Sequence, residues 1–415
     1  MLKRNYYHTK FELYSDIRTI KILNGIRGAG KSSIFMKIID DLKEKRLADD
    51  LHIIYINFEN FENDKLRNIE KLETYIRKKI IDKKTHHLFL DEVHCVPEIR
   101  AFIKFLHREF ENLNIFICNS NSYLSYENQN SDFLPCLQRF YITPFSYTEA
   151  CSFLNTDPKN NNMLLNYLKY GGFPARFQYK KSSEVKKYLY SILDSIFLRD
   201  IVMRLGVVDF NILFFILKIL IKHLGKDFSI LKLTEELAEN DIKIPEDKLY
   251  TCLDCLCRAL IVQPANGYNV VTENKTYGTF RYYLGDLGLA FLFGYDIQNN
   301  MDAILKNLVW LELKRRGYDI YTGINDECKF DFVAIRNEKT IYLQVVHRLE
   351  DGNTVNQEIA KLCGFDFNGQ RYLLSLDRTN YSKKGVIHKN IIDFILEENS
   401  DIESLNEPFR WTSVE

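Results

Sequence analysis

The residues with the most recognisable chemistry lie in one short segment, residues 25–32, which reads G-I-R-G-A-G-K-S. The segment fits the phosphate-binding pattern G-x-x-x-x-G-K-[ST] at every position. Its small residues allow the backbone to turn several amide groups inward, which predicts a nest for the α- and β-phosphates of a nucleotide made by Gly25, Gly28, Ala29 and Gly30. Lys31 is expected to reach the β- and γ-phosphates and to assist their transfer.

Two serines follow the lysine. Ser32 opens the next segment, so its hydroxyl is expected to bind Mg²⁺, while Ser33 continues that segment beside the nucleotide. The preceding T-I-K-I-L-N is apolar and β-branched, and the following S-I-F-M-K-I-I-D-D-L spaces its apolar residues as on one face of a helix. A strand, a loop and a helix are thus predicted in the order that a phosphate-binding loop requires.

A second segment, H-H-L-F-L-D-E-V at residues 86–93, supplies carboxylates. A short apolar run ending in Asp-Glu is typical of a buried parallel strand whose last residues emerge beside the phosphates. Asp91 is expected to orient the water shell of Mg²⁺, and Glu92 to polarise the attacking water as general base. The alternative is that Asp91 and Glu92 belong to an ordinary solvated loop, but the phosphate-binding loop upstream favours the catalytic interpretation. His86 and His87 are expected at the strand entrance rather than on a metal.

Further apolar segments at residues 51–58, at 114–121 and at the beginning of 137–150 predict three more strands, with helices over 62–84 and 97–111 between them. Alternating strands and helices favour an α/β fold, a parallel sheet covered on both faces. The strand over 114–121 ends in I-C-N-S-N. Asn119, Ser120 or Asn121 is therefore a candidate sensor of the γ-phosphate, with capping of the next turn as the equal alternative.

Composition limits the remaining functions. The 415 residues include 56 Lys plus Arg and 56 Asp plus Glu, so the net charge is zero and only a local basic face would attract nucleic acid. We expect a soluble, cytoplasmic protein without a membrane-spanning segment, because the N-terminus lacks an apolar core and no long apolar run occurs. The nine cysteines have irregular spacing and are expected to be reduced, with three on a buried helix face rather than on zinc: Cys252, Cys255 and Cys257.

The patterns predict four parts. Residues 1–149 form the P-loop domain, and 150–205 form a helical lid interrupted by the turn Y-G-G-F-P. Residues 206–300 have helix–turn–helix spacing followed by strand-like segments, which is typical of a winged helix. Residues 301–415 combine a helix over 301–316 with several strands and two later helices.

The order of these motifs resembles the prokaryotic AAA+-type ATPases with a winged-helix region and a C-terminal PD-(D/E)XK nuclease-like domain. The resemblance rests on the two segments above and on L-Q-R-F, P-F-S-Y-T-E, Y-G-G-F-P, F-L-R-D-I-V, Y-Y-L-G-D-L-G-L and L-V-W-L-E-L-K-R-R-G. It implies ATP and Mg²⁺ as cofactors, ATP hydrolysis that drives conformational change of the other parts, and DNA and further copies of the chain as partners. It also implies a role as arginine finger for Arg139, which follows Gln138 where the family has glycine.

The last part departs from the nuclease pattern. That pattern has an Asp on one strand and (D/E)-x-K on the next, which hold Mg²⁺ and support the attacking hydroxide. Asp331 is present, but Gln344 and Val346 occupy the positions of the acid and the lysine. Glu312 is the remaining candidate ligand, with an ordinary charge on a helix surface as the alternative. An inactive nuclease fold is therefore predicted. Two rivals to the ATPase interpretation stay open, an ATP-switched DNA-binding regulator with slow turnover and an ATP-gated, metal-dependent DNA nuclease.

Overall fold

Five short apolar segments in the first 142 residues form one parallel sheet. The strands are β1 (Ile20–Asn24), β2 (Ile53–Asn57), β3 (His86–Asp91), β4 (Leu113–Asn119) and β5 (Leu137–Tyr141). Their order is β2-β3-β4-β1-β5. All four neighbouring pairs are parallel, which confirms the predicted α/β class. The structure is a computed structural model that describes residues 4, 7, 19–120, 136–202, 209–324, 329–337, 339–363 and 368–397.

Within the described residues, three α-helices connect these strands: α1 (Lys31–Glu44), α2 (Ile69–Lys79) and α3 (Ile99–Glu109). Helix α2 is shorter than the helix predicted over 62–84. Residues Phe61–Arg67 form 3₁₀ turns, and Asn68 then caps α2 by accepting a hydrogen bond from the amide of Lys71 at 3.1 Å. An Asn side chain that satisfies the first amides of a helix starts the helix at that point.

The strands bury both faces of the sheet because their side chains alternate. On one face, alternate residues such as Ile22 and Leu90 pack with α2 and α3 through Ile76 and Phe102. On the other face, the rings of Phe89 and Phe116 stack with centroids 4.6 Å apart, and Phe35 of α1 meets Phe89 edge-on at 5.3 Å. The sheet is thereby held rigidly between helices, so the ends of its strands have fixed positions.

Contact density divides the chain after Ile142 into two compact units. The second unit begins with α4 (Tyr147–Leu154), for which Ser146 is the cap in a capping box with Glu149. Its other helices are α5 (Asn161–Tyr170), α6 (Ser182–Ser195), α7 (Phe210–Lys222), α8 (Ile230–Ala238), α9 (Glu246–Arg258), α10 (Gly288–Leu292), α11 (Met301–Arg315), α12 (Gly352–Ala360) and α13 (Ile391–Leu396).

The second unit contains a seven-stranded sheet. Its strands are β6 (Val262–Asn269), β7 (Asn274–Leu284), β8 (Asp319–Ile324), β9 (Lys329–Arg336), β10 (Lys339–Val345), β11 (Gln370–Ser375) and β12 (Val386–Asn390). The order is β12-β11-β10-β9-β8-β6-β7. The hairpin β6–β7 follows the three helices α7, α8 and α9 and joins the sheet by parallel pairing of β6 with β8. Segments that the sequence assigned to a wing and to a nuclease-like domain thus share one sheet, while the four-part division itself stays a prediction.

Two glycine-containing motifs of the second unit meet at a buried carboxylate. Asp286 accepts hydrogen bonds from the amide of Gly172 at 2.7 Å and from that of Gly288 at 2.8 Å. Gly171 has φ +73°, and a Cβ there would lie 1.9 Å from an oxygen of Asp286. Only glycine allows this approach. The turn in Y-G-G-F-P is therefore fixed by the aspartate of L-G-D-L-G-L.

Within the described residues, no helix combines the length and the apolar character needed to cross a membrane.

Candidate nucleotide-binding site

The loop between β1 and α1 has the backbone that its glycines suggested. Gly28 and Gly30 adopt φ +83° and φ +91°, in the left-handed region that favours glycine. Gly25 is needed for a different reason, since a Cβ there would lie 2.1 Å from the carbonyl oxygen of Ile142. Each of the three glycines therefore has a steric reason to be glycine, and the loop can turn its amides toward a ligand.

Lys31 is buried at the start of α1, and its ammonium lies within the loop. Its Nζ donates to the carbonyl oxygens of Gly25 at 2.8 Å and of Ile26 at 3.2 Å. Ala29 is fully buried and its amide donates to the carbonyl of Ile26 at 3.1 Å. The loop is thus closed on itself around one positive charge, at the place where the sequence predicted the phosphates.

The two serines differ in exposure, with Ser32 half-buried and Ser33 exposed on α1. An exposed second serine is consistent with its predicted place as a continuation of the helix.

Asp91 is the last residue of β3 and is completely buried. Its Oδ2 accepts hydrogen bonds from the hydroxyl of Tyr55 at 3.0 Å and from Nδ2 of Asn57 at 3.4 Å. No partner for its Oδ1 occurs among the described residues. Burial, and next the negative charge of Glu92, raise the pKa of Asp91 above its ordinary value. A buried oxygen of this kind is costly unless something binds it, so it fits the water shell of a Mg²⁺ ion.

Glu92 turns away from the strand through a left-handed backbone conformation with φ +53°. Its Oε2 accepts hydrogen bonds from the amide of Ser120 at 3.0 Å and lies 3.1 Å from Nδ1 of His94. Burial alone would raise the pKa of Glu92, but the positive charges of Lys31 and His94 outweigh burial and lower it to about 2. The carboxylate is therefore ionised at neutral pH, and its orientation is set by two donors.

His94 is a member of the site that the sequence did not reveal. Burial lowers its pKa, whereas hydrogen bonds from its ring to Cys95 and Glu92 raise it, with a net value of about 9. Its Nδ1 also lies 3.1 Å from Oδ1 of Asn119. The only sequence signal was its position, two residues after the Asp-Glu pair.

Asn119 ends β4, is completely buried and pairs in register with Asn24 of β1. The structure therefore brings both Asn119 and Ser120 close to Glu92. Asn119 contacts His94, which in turn contacts Glu92, and the backbone amide of Ser120 donates directly to Glu92. Asn121 lies outside the described residues.

An ion pair at the loop was also missed. Both guanidinium nitrogens Nη1 and Nη2 of Arg27 donate to the carboxylate of Glu59, at 3.1 Å and 2.7 Å. Arg27 occupies a variable position of the phosphate-loop pattern, and Glu59 follows β2. A bidentate pair of this kind fixes the loop to the segment after β2 more firmly than a single contact would.

Arg139 lies apart from these residues. It is on the edge strand β5, opposite Ile22 and therefore before the end of the sheet where Asn24 lies. Burial, and next the charge of Arg100, lower its pKa. Among the described residues its Nε has no hydrogen-bond partner, and no ion pair joins it to Asp91 or Glu92. The fold places Arg139 at an edge of the sheet rather than within the site.

In the second unit, Asp331 of β9 is buried and already neutralised. Lys306 and Arg281 place a nitrogen 2.8 Å and 3.1 Å from its Oδ1, and the amide of Val345 donates to its Oδ2 at 2.9 Å. Gln344 lies beside it, with its Oε1 accepting from the amide of Asp331 at 3.1 Å. Two internal cations therefore occupy the position that a metal would need.

Glu312 is neither a ligand beside Asp331 nor an ordinary surface charge. It is buried on α11, where Arg315 and Arg316 donate to the same Oε1 at 2.5 Å and 2.7 Å. Burial would raise its pKa, but these two arginines hold the pKa below the ordinary value. Val346, predicted at the lysine position, directly follows the end of β10 and is half-buried.

The three cysteines of α9 behave as apolar residues. Cys252 and Cys255 are buried, and burial raises the pKa of Cys255 and of Cys257 to about 12. Among the described residues they belong to no cluster of three metal-ligating side chains. A thiol that keeps its proton is a poor zinc ligand.

Comparisons with known proteins agree with this geometry for the first unit. Residues 17–151 match the family model of an AAA domain, and residues 161–295 match a domain of unknown function. The first part of the chain is therefore similar to an AAA domain.

Two relatives cover most of the chain. An uncharacterized protein of Haemophilus influenzae is 27% identical over 360 residues, which are 85% of this chain and 88% of the relative. Uncharacterized protein MJ1544 of Methanocaldococcus jannaschii is 29% identical over 350 residues, 80% of this chain and 76% of the relative. Among solved structures, the Walker-type ATPase PABY2304 of Pyrococcus abyssi is 14% identical, with 70% of this chain and 95% of that chain covered and a TM-score of 0.48.

Proposed function

We propose that this protein binds and hydrolyses ATP with Mg²⁺ and uses the nucleotide cycle to change the conformation of its second unit. One observation carries the proposal. The glycine loop that encloses Lys31 and the buried Asp91–Glu92 pair follow strands of the same parallel sheet, so both lie at the carboxyl edge of that sheet. Ligands of open α/β sheets bind at this edge.

Binding uses the loop and the start of α1. Amides of the loop hold the α- and β-phosphates, and Lys31 exchanges its contacts with the carbonyls of Gly25 and Ile26 for the β- and γ-phosphates. Ser32 and Asp91 would hold a Mg²⁺ ion, which would neutralise charge on the transferred phosphoryl group. The unpartnered Oδ1 of Asp91 supports its place in that set.

Hydrolysis uses Glu92. With a pKa of about 2 the carboxylate is ionised at neutral pH and accepts a hydrogen bond from the attacking water. Its contacts with the amide of Ser120 and with His94 supply its orientation. Asn119, which contacts His94, is the residue through which β4 would sense the γ-phosphate.

Arg139 would act on a neighbouring copy. It lies on the edge strand of the sheet and has no ion pair with Glu92 within the described part of the chain, so a role in its own site is not supported. An arginine finger supplied by a neighbour requires an oligomer. We therefore propose a homo-oligomer in which Arg139 completes the adjacent site.

The second unit is proposed to receive the nucleotide signal through a winged-helix region and an inactive nuclease-like region. The three helices α7 to α9 and the hairpin β6–β7 support the first assignment. The pairing of Asp331 with Lys306 and Arg281 argues against nuclease activity, because a metal would have to displace two cations. DNA remains the partner to test for both regions.

The test is an ATPase assay on the full chain with and without duplex DNA, with the same samples run through a sizing column. We expect Mg²⁺-dependent release of phosphate that Glu92→Gln abolishes. DNA stimulation would support the conformational role, and tight duplex binding with little turnover would support the regulator instead. Absence of nucleotide binding by calorimetry would refute the proposal.

A further inference from the structure

Three side chains converge at the opposite edge of the first sheet. His52 directly precedes β2, His86 opens β3, and Asp82 lies in the segment before β3. Because β2 and β3 are parallel neighbours, with Ile53 in register with His87, both histidines belong to the amino edge of the sheet. One ligand atom from each of the three side chains lies within 4.8 Å of the other two.

Hydrogen bonds place a proton on Nδ1 of each of the two histidine rings. Nδ1 of His52 lies 2.6 Å from a carboxylate oxygen of Asp49, and Nδ1 of His86 lies 2.8 Å from the carbonyl oxygen of Lys84. Both oxygens only accept, so both Nδ1 atoms donate. The Nε2 atoms are then the metal-binding nitrogens. This arrangement, in which an outer acceptor orients the ring, is the one that metal-ligating histidines use.

The third side chain lies where the first ring points. Nε2 of His52 lies 3.1 Å and 3.3 Å from the two carboxylate oxygens of Asp82. The rings of His52 and His86 have centroids 4.8 Å apart. Both histidines are buried while Asp82 is exposed, so the cluster opens to solvent on the side of the carboxylate.

The segment that carries Asp82 is held in place from behind. Nδ2 of Asn112 donates to the carbonyl oxygens of Asp82 at 3.0 Å and of Lys84 at 2.9 Å. The amide of Lys84 donates to Oδ1 of Asp82 at 2.9 Å. The position of the carboxylate therefore does not depend on its contact with His52 alone, as a metal site with a supporting shell requires.

A salt bridge is the competing explanation, in which a doubly protonated His52 lies between Asp49 and Asp82. Hydrogen bonds to these two carboxylates, Asp49 first, raise the pKa of His52. That explanation gives no role to His86, whose Nε2 accepts only a long bond of 3.3 Å from the amide of Ile81. The amide belongs to an exposed residue and can bond to water instead.

We propose that Nε2 of His52, Nε2 of His86 and the carboxylate of Asp82 bind a divalent first-row transition metal, of which Zn²⁺ is the representative. Two imidazoles and one carboxylate with a water as fourth ligand form a normal zinc coordination set, whereas Mg²⁺ and Ca²⁺ prefer oxygen ligands alone. Metal binding replaces the proton on Nε2 of His52, which is released to solvent. The ion joins the entrances of β2 and β3 and stabilises the first unit independently of the nucleotide.

The experiment uses the full chain after treatment with a chelator and dialysis. Zn²⁺ is titrated in competition with a chromophoric chelator into the wild type and the variants His52→Gln, His86→Gln and Asp82→Asn. His347→Gln, at a half-buried histidine of the second unit, is the matched control. We expect the wild type and the control to bind one Zn²⁺ ion per chain tightly. Each ligand variant should lose about 100-fold or more in Zn²⁺ affinity, which exceeds the usual effect of replacing a residue that only orients a metal ligand.

Folding is checked by thermal unfolding with chelator in excess. If His52→Gln fails to fold, Asp82→Asn decides the result, because Asp82 is exposed and its loss removes no packing. Addition of Zn²⁺ should raise the unfolding temperature of the wild type and not that of Asp82→Asn. The proposal would be overturned if the wild type bound no Zn²⁺ ion tightly, or if all three ligand variants still bound one. The cluster would then serve as a salt bridge.

Discussion

Replacement of Lys31 by alanine tests the phosphate loop directly. The ammonium is buried and makes two contacts with carbonyl oxygens of the loop, so we expect it to offer two contacts to phosphate oxygens. Hydrogen bonds to charged groups contribute about 1.5–3 kcal/mol each, which gives about 3–6 kcal/mol for the pair. Since about 1.4 kcal/mol corresponds to a tenfold change in affinity, Lys31→Ala should weaken ATP binding roughly 10²- to 10⁴-fold.

The assay is calorimetric titration of Mg²⁺ and ATP into the wild type, Lys31→Ala and the control Lys37→Ala. Lys37 lies on the same helix, where it forms a half-buried ion pair with Asp41, four residues later, at 2.7 Å. An ion pair between residues four apart on a helix contributes little, so the control should bind ATP as the wild type does. Thermal unfolding without nucleotide separates a loss of binding from a loss of the fold. Equal ATP affinity of the wild type and a folded Lys31→Ala would refute the assignment of the loop.

Four further outcomes are expected. Glu92→Gln should keep ATP binding within a few-fold and lose phosphate release by about 10²-fold or more, as measured by calorimetry and a phosphate assay; normal turnover would exclude Glu92 as the base. Arg139→Ala should lower turnover only at protein concentrations where a sizing column shows assembly, and an unchanged rate in the assembled state would make Arg139 structural. Incubation with linear, circular and single-stranded DNA and Mg²⁺ or Mn²⁺ should give no cleavage, whereas cutting that disappears in Asp331→Ala would contradict this expectation. Burial raises the pKa of Asp286 to about 7, so the folded state keeps its full stability below about pH 4 and loses stability as the pH rises through 7. The free energy of unfolding, measured in urea, should therefore fall more between pH 5 and pH 8 in the wild type than in Asp286→Asn. Equal slopes in the two proteins would contradict the raised pKa.

Local patterns predicted the elements of the first unit well. Apolar runs of strand length and the glycine loop depend on neighbouring residues, so β1, α1 and β3 were predicted close to their observed bounds. Strand β12 was missed because its five residues, V-I-H-K-N, include three polar ones and give no clear alternation. The chain divides into two compact units after Ile142, whereas the boundary at 149 stays a prediction.

Contacts between distant segments could not be predicted in the same way. Arg27 and Glu59 are 32 residues apart, and Arg281 and Asp331 are 50 apart, so their pairing follows only from the folded sheets. The partners of Glu312 were different. Arginines three and four residues after a glutamate lie on the same face of a helix, and that spacing alone could have predicted that Glu312 is engaged.

Asp331 and Asp91 are both buried aspartates on β-strands, but they differ in how their negative charge is balanced. Asp331 has its charge balanced inside the protein by Lys306 and Arg281, so a divalent ion would have to displace a buried ammonium and guanidinium and leave them without a counter-ion. Asp91 has one oxygen held by Tyr55 and Asn57, while Oδ1 lacks a partner within the described residues and Lys31 is committed to the loop carbonyls. A buried carboxylate without internal neutralisation gains most from an external cation. The divalent ion that accompanies ATP is therefore expected to bind beside Asp91 in the first unit and not beside Asp331 in the second.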